Sequence, residues 1–192
     1  VRTAQVDFST LKILVPTAAI GDPDEAVLKL LAQMLAGSTD SRLRSFFRSH
    51  PGILDIQASQ SSQELHGVFD ITVTARSETN LRPVFDHIFN LLSSMVDGVI
   101  NDAELQTAAN LAEMQYLTPM EKVFGLGGRC DVMNLDNLYT GNPAASAAAI
   151  ESLDGVNVTA VRSVIKRYFN SDRAVVLSVV QPNKTDNAVV FQ

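Results

Sequence analysis

The stretch Ile53 to Ala75, reading ILDIQASQSSQELHGVFDITVTA, decides the fold. Its second half alternates Leu65, Gly67, Phe69, Ile71, Val73 and Ala75 with His66, Val68, Asp70, Thr72 and Thr74. A period of two in hydrophobicity marks a β-strand with one face in a core and the other wetter. Its first part, Ile53 to Ser59, is a second strand. The polar Gln60-Ser61-Ser62-Gln63 between them predicts the turn of a hairpin. Strands joined so closely run antiparallel, so the protein is built around at least one antiparallel pair.

Working upstream, Pro51-Gly52 breaks a short helix that starts after Thr39 and runs to about Ser49. Leu43, Phe46 and Phe47 form its buried face, while Arg44 and Arg48, four apart, share another. Before it lies a well-marked helix with Asp22 as N-cap, Pro23 at the first helical position, Glu25 three residues after the cap and Gly37 as the stop. Val27, Leu30, Leu31, Met34 and Leu35 make one apolar stripe along it. Leu11 to Val15 reads as a strand ended by Pro16, with a weaker alternating lead-in from Gln5 to Phe8.

Downstream, a long helix after Ser77 carries Leu81, Val84, Phe85, Ile88, Phe89, Leu92, Met95 and Val96, and closes at Gly98. Asn101 starts another, with Glu104 completing a capping box. Thr118-Pro119-Met120-Glu121 repeats that start signal. Pro143 to Leu153 and Asn157 to Phe169 are two further helices, and Ala174 to Val180 is a last strand ended by Pro182. Strands separated by helices but including a hairpin predict an α+β fold, a largely antiparallel sheet with helices packed on one face.

Composition narrows the class. With 192 residues, 46% hydrophobic, the chain suits residues 1–192 as a single domain, and disorder is excluded. Fifteen Lys/Arg against twenty-one Asp/Glu give a net charge of −6, the wrong sign for a nucleic-acid partner. The single cysteine, Cys130, excludes an internal disulfide framework and any multi-cysteine metal cluster. No run approaches the roughly 18 apolar residues of a membrane span. The sequence opens on Val1, not methionine, which leads us to expect a processed product or a fragment of a longer chain.

A self-contained catalytic site is hard to assemble from these residues. His50, His66 and His87 are spaced so that no two share a helix face as metal ligands would. Cys130 follows Arg129, which would favour a thiolate, but a small core cysteine needs no such role. Gly125, Gly127 and Gly128 lack the trailing Lys-Ser/Thr and the preceding strand of a phosphate loop. Arg42, Arg44 and Arg48 are the charges best suited to hold a carboxylate or a peptide carbonyl. A solvated helix face explains them more simply.

The order of motifs nevertheless resembles a known family. Leu31-Ala32-Gln33-Met34-Leu35-Ala36-Gly37, then Ser41-Arg42-Leu43, Phe47-Arg48 and Gly52-Ile53 are similar to the pattern of pitrilysin/insulinase-type zinc metallopeptidases. Gly98 to Leu105 resembles that family's helix start, and Val156 to Phe169 with Ala174 to Pro182 its closing helix and strand. The likeness runs from about Leu11 to Pro182.

The resemblance implies paired α+β domains enclosing a peptide chamber, with zinc held in one of them by an inverted H-x-x-E-H helix. This sequence contains no H-x-x-E-H and looks like the other, C-terminal-type, non-catalytic domain, inactive alone. Zinc is then expected in a partner catalytic domain, in the same chain or a second subunit, within a two-domain-type zinc peptidase. The family's substrate-holding arginine matches Arg48. Its tyrosine, seven residues on, is replaced by Asp55, which removes a hydrogen-bond donor and adds a negative charge. Ser49 stands where the family has glutamate. The implied role is one wall of the chamber; an alternative is a structural or assembly subunit domain of the same fold, as in cytochrome reductase core subunits. An unrelated α+β binding domain is a third possibility. The resemblance suggests a bacterial periplasm, a compartment that the residues themselves do not specify.

Overall fold

A computed structural model describes residues 1–123 and 125–190. The chain forms β1 (Arg2–Thr3), β2 (Phe8–Thr17), α1 (Pro23–Ala36), α2 (Arg42–Arg48), β3 (Ile53–Ser62), β4 (Gly67–Arg76), α3 (Arg82–Asp97), α4 (Asp102–Glu121), α5 (Arg129–Thr140), α6 (Ala145–Asp154), α7 (Val158–Tyr168) and β5 (Val175–Val180). The sheet order is β1-β5-β2-β4-β3. Every pairing is antiparallel except the two-residue contact of β1 with β5. This is the expected α+β architecture.

The alternation in β4 places Phe69, Ile71, Val73 and Ala75 on the buried face. Opposite them across the ladder, Val15, Ile13, Leu11 and Ser9 of β2 are also buried. Apolar faces of α1, α3 and α7 close over this layer as one core. The other sheet face is polar at its centre, where Lys12 pairs with Asp70 at 2.6 Å and Thr72 donates to the same carboxylate. Asp22 caps α1 by accepting from the Asp24 amide, and Glu25 accepts from Gly21, so the helix starts where its capping residues dictate.

Several local expectations are corrected. β2 does not end at Pro16 but continues to Thr17. β5 pairs with β2 only from Thr10 to Leu14, so Pro16 lies on a stretch flanked by β4 alone, where proline is tolerated. The hairpin turn is not Gln60–Gln63, because β3 extends to Ser62 and the turn spans 63–66. Gln60 remains in the strand because its side chain accepts from Thr17 and donates to Ser62. Gly67 then opens β4 where a Cβ would come within 2.1 Å of the Ala18 carbonyl. His66 accordingly belongs to the turn, not to the strand.

Glu104 completes no capping box; Asn101 caps α4 alone, accepting from the Ala103 amide, and Glu104 is taken by Arg42. Nor does Thr118 start a helix. α4 runs through Pro119, and the Thr118 hydroxyl donates back to the Met114 carbonyl. Proline is accommodated because it falls in the last turn, where little of the helix remains to be disrupted. The helix that does follow, α5, begins at Arg129 behind Gly128. The short α2 begins at Arg42, later than Thr39, because Ser38 to Ser41 form a turn in which the Ser41 hydroxyl donates to the Ser38 carbonyl.

Candidate functional site: the α2–β3 cleft

α2 is anchored by Leu43 and Phe47, both buried; Phe46, expected on the same buried face, is instead 38% exposed, and the three arginines point in different directions. Arg42 turns towards α4. Its Nε and Nη2 donate to the two oxygens of Glu104 at 2.6 and 2.7 Å, and Nη2 also reaches the Val99 carbonyl at 3.0 Å. This fork-on-fork arrangement is the strong form of an ion pair, and its hydrogen bonds hold the guanidinium pKa above its ordinary value despite partial burial.

Arg44 turns towards the sheet. It donates to the Ala36 carbonyl at the end of α1 at 2.7 Å and lies 3.4 Å from Asp55. Asp55 also accepts from Gln57 at 2.8 Å. Arg48 reaches back to the loop before α2, donating to the Thr39 carbonyl and to Asp40 at 3.0 Å. The Arg48 and Asp40 side chains are 60% and 87% exposed, so water competes freely for both.

Between α2 and the start of β3 these groups enclose a cleft of ≈ 180 Å³, with Arg44, Arg48 and Asp55 on its rim and Phe47, Ile53 and Leu54 among its apolar lining. A register shift between Ile53 and Asp55 lies in its lining: Leu54 is the extra residue of a bulge on the edge strand and remains 43% exposed. The two residues singled out by sequence, Arg48 and Asp55, therefore do line one cleft. They are not each other's partners, since Arg44 is the guanidinium beside Asp55.

The remaining candidates fall elsewhere. His50 and His87 both stack on Phe46, with ring centroids 4.6 and 3.3 Å from it, and His66 sits in the hairpin turn. Burial, and then the neighbouring His50, push the His87 pKa below its ordinary value. Among the described residues no group of three or more His, Cys, Asp or Glu is placed to hold a metal. Zinc therefore does not fit the residues present here. Cys130 is exposed, with Sγ 3.2 Å from the Val123 carbonyl. In the glycine-rich loop the Gly127 amide donates to Asp131, so a carboxylate occupies the donor that a phosphate would need.

Sequence reasoning missed two polar clusters. Lys29 on α1 contacts Glu25 at 2.8 Å and the Tyr116 hydroxyl of α4 at 2.5 Å. Burial pulls the Lys29 pKa down, but Tyr116 and Glu25 outweigh it, and the net direction is up. Asp136, buried on α5, accepts from both the amide and the hydroxyl of Ser146 on α6. Glu25 and Lys29, four apart on one helix, were a visible signal for the first. No local pattern announces the second.

Residues 1–111 match the family described as Peptidase M16 inactive domain. The chain belongs to that family. No curated protein matches the sequence. Among solved structures the chain is similar to a protease from Helicobacter pylori, with a TM-score of 0.79 at 15% identity, over 93% of this chain and 43% of that one. A peptidase M16 inactive domain from Pseudomonas fluorescens gives 0.73 at 17% identity, over 94% and 42%. A chain of complex III2 from Candida albicans gives 0.79 at 14% identity, over 94% and 45%. This M16 inactive domain thus spans less than half the length of those chains, and at such identities the likeness establishes the fold alone.

Proposed function

We propose that residues 1–192 form a single non-catalytic domain of a larger zinc peptidase and provide one wall of its peptide chamber. The observation that carries this is the α2–β3 cleft, which joins an exposed, weakly held Arg48 guanidinium to an apolar lining in a chain of the M16 inactive-domain family. Zinc and the water-activating carboxylate would come from a companion catalytic domain, in the same chain or a second subunit. Arg48 would hold a peptide carbonyl or carboxylate, and Asp55 would set the cleft's polarity at the family's tyrosine position. In an assembled peptidase containing this chain, Arg48→Ala should lower kcat/KM by about tenfold, the worth of a hydrogen bond to a charged group, with zinc content unchanged. Unchanged kcat/KM would remove the substrate-holding role.

A second function is favoured by one specific residue. Asp55 brings a carboxylate where a donor would serve a peptide oxygen, which suits a domain kept for assembly. The similarity to a chain of complex III2, a respiratory assembly, is compatible with it. A stable complex of this chain with a partner, devoid of peptidase activity, would select this function over the first.

A further inference from the structure

We infer that the α2–β3 cleft is a side-chain-selective subsite for a peptide that carries a carboxylate beside a large apolar side chain. This deepens the chamber-wall proposal and rests on it. Three observations support it. First, a volume of ≈ 180 Å³ is below the roughly 300–1,000 Å³ of small-molecule sites and suits one amino-acid side chain. Second, half of the lining that would receive that side chain is apolar: Phe47, at 4% exposure, with Ile53, Leu54 and Ile56. Burying a leucine or phenylalanine there removes apolar surface on both sides, whereas a polar side chain would find no partner among these four side chains.

Third, the two guanidiniums on the rim differ in availability. Arg44 is tied to the Ala36 carbonyl and flanked by Asp55, so its charge is already answered within the fold. Arg48 is held by the Thr39 carbonyl and by Asp40, an almost fully exposed carboxylate at 3.0 Å, and its side chain is 60% exposed against 35% for Arg44. Exposed pairs of this kind contribute roughly 0–1 kcal/mol. An incoming carboxylate can therefore take the place of Asp40 at small cost, and a planar guanidinium binds it through two parallel hydrogen bonds. Asp40 thus acts as a resident competitor. Asp55, also in the lining, disfavours a second negative charge.

The carboxylate can be the peptide's own C-terminus after the apolar residue or an acidic side chain next to it. The experiment separates these sources. Titrations of this chain would use four fluorescent hexapeptides, ending in Leu with a free carboxylate, in Leu-amide, in Leu-Glu-amide and in Leu-Gln-amide. Carboxylate-bearing peptides should bind about tenfold more tightly than their neutral counterparts. The preferred free-acid or Glu peptide names the source. Arg48→Gln should abolish the difference. Asp40→Asn should tighten binding of the carboxylate peptide severalfold, an effect that a purely structural Arg48 would not produce. Replacing the Leu by Ser should weaken every peptide.

Equal binding of acidic and neutral peptides that still depends on Arg48 would overturn the subsite but leave the peptide-holding wall standing. Absence of binding by all four would overturn both. Weaker binding by Asp40→Asn would also contradict the assignment, because it would make Asp40 a supporter of the site instead of its competitor.

Discussion

Helices α1 and α5 are nearly equal in length but are held in opposite ways. In α1, ten of fourteen residues are buried, among them Leu28, Leu30, Leu31 and Leu35 at 0% exposure. In α5, of twelve residues only Asp136 is buried, while Leu135 and Leu138 face solvent. The first helix is positioned by apolar area, the second by a clasp of two hydrogen bonds from Ser146. Apolar burial is non-directional and tolerates local imperfection. A buried carboxylate does not, because losing its partners leaves desolvated polar groups without recompense.

Leu31→Ala offers the severest test of the contrast. Truncating a fully buried leucine should cost about 2–5 kcal/mol, read as a lower urea midpoint with an unchanged slope. Leu138→Ala, at 68% exposure, should stay within about 0.5 kcal/mol. Equal losses would dissolve the distinction between the helices.

Asp136→Ala should cost about 1–3 kcal/mol, since it strands the Ser146 amide and hydroxyl. Hydrogen exchange should show faster opening confined to α5 and α6, with the amides of β2 and β4 unaffected. Uniform acceleration across the sheet would mean that α5 is integral to the core.

The arginines of α2 extend the comparison to single ion pairs. A double-mutant cycle on Arg42 and Glu104, about three-quarters buried and bidentate, should give a coupling of about 1 kcal/mol. The exposed Arg48–Asp40 pair should couple by a few tenths of a kcal/mol. Equal couplings would contradict the assignment of Arg42 to the scaffold and Arg48 to the cleft.

The smallest expected effect is a pH dependence. His87 has its pKa lowered in the folded protein, so the unfolded chain binds more protons as pH falls below the ordinary value of about 6.5. The corresponding stability is present above that pH and is lost on acidification towards the lowered folded value. His87→Leu should flatten this part of the stability profile between pH 7 and 5; an unchanged slope would assign it to other groups.

How much of this was legible follows the same division. Where one face of an element meets the core, the sequence mostly shows it: the alternation Phe69-Ile71-Val73-Ala75, the stripe of α1 and the Asn157 cap of α7 all appear in the structure, whereas Phe46 and Leu65, read as apolar-face residues, are exposed. Errors arose where a side chain's partner lies far along the chain. Glu104 had the spacing of a capping box but is bonded to Arg42, 62 residues away. Gln60 had the composition of a turn, but Thr17 holds it in the strand. α5 offers little apolar periodicity, and its clasp joins a lone aspartate to a serine in an alanine-rich run. At the cleft, Arg48 and Asp55 were singled out from motif order, whereas Asp40 as the partner of Arg48, Arg44 as the neighbour of Asp55 and the Leu54 bulge are three-dimensional facts.

The central claim is that this M16 inactive domain holds peptide without cutting it. It is tested most directly by incubating the chain with zinc and the Leu-terminated peptide, then measuring bound zinc, bound peptide and peptide mass together. The account predicts Arg48-dependent peptide binding, intact peptide and no stoichiometric zinc. Tight one-to-one zinc with cleaved peptide would contradict it.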